Sequence, residues 1–226
     1  MINRFYSATT NAVYQYLLEH IISGELKPGD KIPETTIAQS LHVSRTPVRD
    51  ALRELAVTNV VTLYPNKYSE ITVFDKDRMR EVGITKIDLD RLAIRLAIYY
   101  GSRAEYEGLK EFAETCYRKG LENDYAGRVN ADSDFHLELC HITKNRTLIQ
   151  IERILLIQLE YLQIANFLNA EDPEEQYKMH LRIIEALKNG DVQAGMEAIT
   201  RPSLSFYNVE GIPSRLFEDG AAALLS

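Results

Sequence analysis

The sequence predicts a mainly α protein, an N-terminal winged helix-turn-helix followed by a C-terminal six-helix antiparallel bundle. Three observations predict it. The stretch from His42 to Leu55 joins a tight turn to a helix with two distinct faces. Two short runs of alternating residues follow, separated by turn chemistry. From Lys76 onward, apolar residues recur at helical spacing with no strand-like alternation. Two domains are therefore expected, residues 1–75 and residues 76–226.

Val13, Leu17 and Ile21 repeat every four residues and predict a first amphipathic helix over about residues 9–23. Gly24 ends it, and Pro28-Gly29 turns the chain. A second short helix is expected over about 34–41, with Ile37, Ala38 and Leu41 inward. In the third, Val48, Ala51, Leu52 and Leu55 form the buried stripe, and Arg45, Arg49 and Arg53 form a cationic stripe beside it. Ser44 or Thr46 can cap its start, and Pro47 is tolerated in a first turn, where its missing N–H costs nothing. A helix anchored on one side and armed with arginines on the next suits the DNA major groove. Val61 to Leu63 and Ile71 to Val73 alternate with period two around Pro65-Asn66-Lys67, which predicts a two-stranded wing with Lys67 and Tyr68 at its tip.

The net charge of −7 argues against bulk attraction to nucleic acid. Residues 1–75 hold seven Lys and Arg against eight Asp and Glu, so DNA binding must rest on local clustering, base contacts and two-fold symmetry. The chain has room for a substantial core. It has no apolar run of membrane-spanning length and no apolar signal core near Met1. Cys116 and Cys140 have no framework spacing, which fits a reducing cytoplasm.

The six later helices are expected at about 76–100, 104–123, 126–141, 147–168, 174–189 and 191–201, with Pro202 ending the last. In the third of them, Val129, Asp132, Phe135, His136, Leu139 and Cys140 share one face. Asp132 and His136 thus stand where apolar residues are expected. A buried carboxylate needs a partner, and the fifth helix offers His180 within its apolar stripe. One Asp and two His facing one cavity can hold zinc, nickel or manganese, and can equally be a buried hydrogen-bonded group. Tyr99, Tyr100 and Tyr161 are expected at helix contacts.

Ile22-Ser-Gly24-Glu-Leu26-Lys-Pro28-Gly29, followed by Val43-Ser-Arg-Thr-Pro-Val-Arg49-x-Ala-Leu-Arg53, resembles the N-terminal domain of GntR-type transcriptional regulators. The resemblance implies operator contacts from Ser44, Arg45, Thr46 and Arg49, with the wing tip at Lys67 entering the minor groove. Thr35 stands where such regulators commonly carry an arginine, and Lys67-Tyr68 replaces their usual Arg-Gly. Asp132-Ser-Asp-Phe-His136, then Asn145, then His180 to Asp191 resemble the effector domain called FCD, in its VanR-like subgroup. That resemblance implies one divalent metal on Asp132, His136 and His180, a small carboxylate effector, and a homodimer on double-stranded operator DNA. The family's fourth ligand, a histidine, would fall near residue 202, where this chain has Arg201-Pro202. The family's Arg-x-x-Leu-Glu reads Lys86-Ile-Asp-Leu89-Asp90. Lys86 and Arg201 are therefore the cationic candidates for the effector carboxylate.

The reading is a cytoplasmic repressor, not an enzyme. Two others stand beside it. One is a metal-dependent enzyme on a helical bundle, although the sequence has no HExxH, no phosphate-cradling glycine loop and no paired Glu-x-x-His. The other is a regulator whose bundle is a ligand-free dimerisation scaffold.

Overall fold

A computed structural model describes residues 7–166, 172–207 and 209. Its elements run α1 (Ala8–Ile22), α2 (Glu34–Ser40), α3 (Arg45–Val57), β1 (Val61–Tyr64), β2 (Tyr68–Ile71), α4 (Lys76–Tyr100), α5 (Arg103–Leu121), α6 (Tyr125–Ile142), α7 (Arg146–Asn166), α8 (Pro173–Asn189) and α9 (Val192–Phe206). The architecture is mainly helical, with one antiparallel hairpin.

The first three helices close on a core that includes Val13, Leu17, Ile21, Val48, Leu52 and Leu55, all almost fully buried. Ser7 caps α1 through its hydroxyl. The turn between α2 and α3 needs a left-handed residue, and His42 supplies it with φ 54°. The Val43 N–H then donates to the Ala38 carbonyl. Ser44 takes the N-cap position of α3 in an extended conformation, but its hydroxyl makes no capping bond. That corrects the expected cap and leaves the hydroxyl at the exposed end of the helix.

The wing differs from expectation in its second strand. β2 begins at Tyr68, three residues earlier than the alternation of Ile71 to Val73 indicates. Asn66 adopts φ 58°, and the Lys67 N–H donates to the Tyr64 carbonyl, so the hairpin closes at once on the Tyr64–Tyr68 pair. Asn tolerates the left-handed region that such a tight turn demands. The register runs from Val61 opposite Ile71 to Tyr64 opposite Tyr68.

The six later helices pack around Ile94, Leu109, Phe135, Leu139, Ile183 and Ile184, each 0–1% exposed. Their bounds follow the apolar periodicity closely, and Ser102 and Glu105 start α5 with a reciprocal capping box. The last helix is the exception. Pro202 lies inside α9, which continues to Phe206. A proline in mid-helix cannot donate its backbone bond. The Ser203 hydroxyl donates to the neighbouring Ile199 carbonyl at 2.7 Å, and Tyr207, beyond the helix, packs on α4. Gly83 makes that packing feasible, because a Cβ there would lie 2.3 Å from the Tyr207 Cβ. Tyr161 is buried as expected, whereas Tyr99 and Tyr100 are 78% and 54% exposed, beyond the reach of the core at the end of α4.

α7 joins the two packed regions. Tyr161 is part of the N-terminal core, its hydroxyl donates to the Thr72 carbonyl at 2.6 Å, and its ring meets Phe74 at 5.6 Å. At the preceding residue of the same helix, burial pushes the Glu160 carboxyl up to about 7, the Ser133 hydrogen bond opposing and Asp134 adding to the rise. The folded chain therefore keeps a proton there that the unfolded chain releases near its ordinary value of 4.5. This contribution to stability is fully present below that ordinary value and is lost as pH rises through about 7. Allowing for partial exposure, wild type should lose about 2 kcal/mol more than Glu160→Gln between pH 5 and pH 8, measured by urea unfolding. Equal pH profiles for the two proteins would show Glu160 to be solvated.

Candidate functional site

The exposed face of α3 holds Arg45, Thr46 and Arg49, and Ser44 is exposed just before it. Thr35, on α2, and Lys67, at the hairpin tip, are exposed as well. Glu34, at the start of α2, ties the arginines together. Its Oε2 accepts from Arg49 Nε at 3.0 Å and lies 3.7 Å from Arg45. The arginine side chains stay more than half exposed while the Glu34 side chain is 18% exposed, so the carboxylate is a fixed post and the guanidiniums reach outward. Arg53 pairs instead with Asp50 on its own helix at 2.7 Å. Arg49, Arg53, Lys67 and Tyr64 line a groove of about 420 Å³ between α3 and the hairpin. Lys31 lies 4.4 Å above the Tyr68 ring and braces the wing near its tip.

Inside the later helices a second constellation forms around Asp132. Its Oδ1 lies 3.1 Å from His180 Nε2 and 4.0 Å from His136 Nε2, and it accepts from Gln176 Nε2 at 2.9 Å. Burial alone would raise the Asp132 carboxyl, but the His180 bond and the His136 charge outweigh it and hold it at about 2. Burial lowers His180, against the opposing Asp132 bond, and its ring stacks on Phe135 at 4.0 Å. His136 is pushed down by burial and by Lys86, yet Asp90 and Asp132 outweigh both and hold it above its ordinary value. Its Nδ1 lies 3.3 Å from Asp90 Oδ1, which leaves Nε2 on the Asp132 side. An acceptor behind a histidine in this way fixes the ring for metal ligation.

Residues 9–67 match the model of the gntR family of bacterial regulatory proteins, and residues 85–201 match the FCD domain. This chain is a gntR-family regulator with an FCD domain. An HTH-type transcriptional regulator of Bacillus subtilis is 28% identical over 189 residues, covering 82% of this chain and 84% of its own. A protein of Paenarthrobacter nicotinovorans, described as a "probable D-xylose utilization operon transcriptional repressor", is 27% identical over 86% of this chain and 85% of its own. The solved structure of Escherichia coli McbR/YncC shares the fold with a TM-score of 0.74 at 21% identity, covering 91% of this chain and 100% of that one. The family is one of transcriptional regulators rather than enzymes. No helix among the described residues is long and apolar enough to cross a membrane.

The regulator departs from its sequence-derived site in three places. Arg201 is exposed on the outer face of α9 and lines a surface groove with Arg182 and Glu197, away from Asp132. The residues that α9 turns toward the core cavity are Ile199, Pro202, Ser203 and Phe206. Lys86 is 2% exposed and already paired, bonded to Asp90 and 2.8 Å from Glu152 Oε1. Burial would lower its ammonium, but Asp90 and Glu152 hold it well above its ordinary value. Third, the metal donors divide. Among the described residues, donor atoms within 4.8 Å of one another form two sets, Cys116 with Asp132 and His180, and Asp90 with His136 and Glu152. A cavity lined by Asp90, Asp132 and His136 has a volume of about 50 Å³, room for an ion and a water. Arg128 and Gln176 line it. Arg128 stands one helical turn before Asp132 on the same face, a spacing the sequence displays, but nothing in the sequence ranks it above the other arginines.

Proposed function

We propose that this regulator is a cytoplasmic homodimer that represses transcription by binding a near-palindromic operator, and that a small carboxylate acting on its bundle releases it. Residues 1–75 form the DNA-reading domain in this reading, and residues 76–226 bind effector and dimerise. The observation that carries it is the α3 face, where two guanidiniums share one Glu34 post beside a basic hairpin tip. Arg49, Arg45, Ser44, Thr46 and Thr35 would meet the major groove, and Lys67 the minor groove or its phosphates. The printed name of the Paenarthrobacter relative supports repression.

A three-ligand metal site on Asp132, His136 and His180 would draw the two donor sets together around Asp132, which lies 3.1 Å from His180 Nε2 and 4.0 Å from His136 Nε2. Asp90 orients His136, and His180 Nδ1 is buried without a hydrogen-bond partner, as a core arranged around a further group would leave it. A divalent ion there would supply positive charge for an effector oxygen. Arg128 is the side chain best placed to receive the rest of an effector carboxylate, in preference to Arg201 and Lys86.

Two measurements test the reading. Selection of random duplexes should return a two-fold symmetric sequence, bound by two chains. Protein purified without chelator should contain about one divalent ion per chain. Organic acids should then shift its melting temperature and release DNA with a coupling of about 1–3 kcal/mol. Recovery of no symmetric sequence would overturn the operator reading. A metal-free, acid-insensitive bundle would leave the scaffold reading in its place.

A further inference from the structure

A separate cleft of about 530 Å³ lies between the DNA-reading helices and the bundle. Tyr14 and Leu18 of α1, Glu54 of α3, Leu137 of α6, and Arg153 and Ile157 of α7 line it. Two charged groups in it each have one buried atom without a partner. Glu54 is 7% exposed, and its Oε2 is buried with no hydrogen-bond donor within the described residues. Arg153 has one end of its guanidinium 3.4 Å from His141 Nε2, while its Nε is buried with no acceptor. A buried charge left unpaired is costly, so such atoms mark places where a further group completes the structure. Two further carboxyl groups line the cleft, Glu160, which is bonded to Ser133, and Asp134, which is exposed to solvent.

We infer that this cleft binds a small zwitterion of the amino-acid type, with its ammonium on Glu54 and its carboxylate on Arg153. One free acceptor and one free donor of opposite charge select a ligand carrying both charges. A simple amine would leave Arg153 unpaired, and a simple acid would leave Glu54 unpaired. The leucine and isoleucine walls add a preference for an apolar side chain, and the volume lies within the range of small-molecule sites. A metal ion does not fit, because the sets of close donor atoms lie elsewhere in the molecule. Glu54 stands on the helix that carries Arg45 and Arg49, so the ligand would brace that helix against α7.

Calorimetric titration of the full chain with L-phenylalanine, phenethylamine and 3-phenylpropionate tests the assignment. The amino acid should bind saturably and at least about tenfold more tightly than either analogue. Glu54→Gln and Arg153→Gln should each weaken it about tenfold or more. Absence of binding at millimolar concentration, or equal binding of the amine or the acid, overturns the inference. So does loss of binding in Asp132→Asn together with retention in Glu54→Gln, which would place the probe in the bundle core. The wild-type ranking of the three probes decides the matter even if a variant fails to fold. The readout depends neither on DNA nor on metal, so it stands or falls apart from the repressor reading.

Discussion

Lys86→Met is expected to destabilise the protein by about 3–5 kcal/mol, the cost of removing one partner from a buried ion network. The lysine ammonium contacts both Asp90 and Glu152, which are 2% and 0% exposed. Met fills nearly the same volume, so the loss would come from charge rather than from a cavity. Neither Glu152 oxygen has an aligned hydrogen bond, and the Lys86 charge, with a smaller share from His136, compensates it. The double variant Lys86→Met, Glu152→Gln should recover part of the loss, because the second change removes a charge that the first left stranded. Urea unfolding of the four proteins in that cycle should give a coupling above about 1 kcal/mol. Additive effects would mean that water reaches the site.

The same residues show how far sequence reaches. Lys86 and Asp90 stand four apart in one helix, and that spacing is visible in the chain. Glu152 is visible only as the one acid in the stretch Leu148 to Leu159, with nothing to say that it meets Lys86. Helix periodicity is a local property, which is why the boundaries of α4 to α8 follow from it. Pairing across helices is a tertiary property, and it decided where Arg201, Arg128 and the two donor sets lie. Local strain decided the rest. The left-handed Asn66 moved β2 toward the tip, and the packing of Tyr207 against Gly83 accompanies a helix that runs on past Pro202. Glu34 reads as an ordinary first-turn acid, since its two arginine partners come from the next helix.

Arg49→Ala should weaken binding to the selected operator by about 1–3 kcal/mol, or roughly 5- to 150-fold, the value of one bidentate arginine–guanine contact. Arg53→Ala should cost far less, because its guanidinium is engaged with Asp50 on the same exposed helix surface. Glu34→Gln separates reach from aim. It removes a negative charge beside two arginines, so binding to random duplex should strengthen and its salt dependence steepen. It also frees both guanidiniums to sample other rotamers, so the preference for operator over random DNA should fall. Fluorescence anisotropy at matched salt, with operator and scrambled duplexes, measures all three variants. Operator affinity unchanged in Arg49→Ala would remove α3 from the reading face, because Arg49 is one of the two outward guanidiniums that Glu34 holds there.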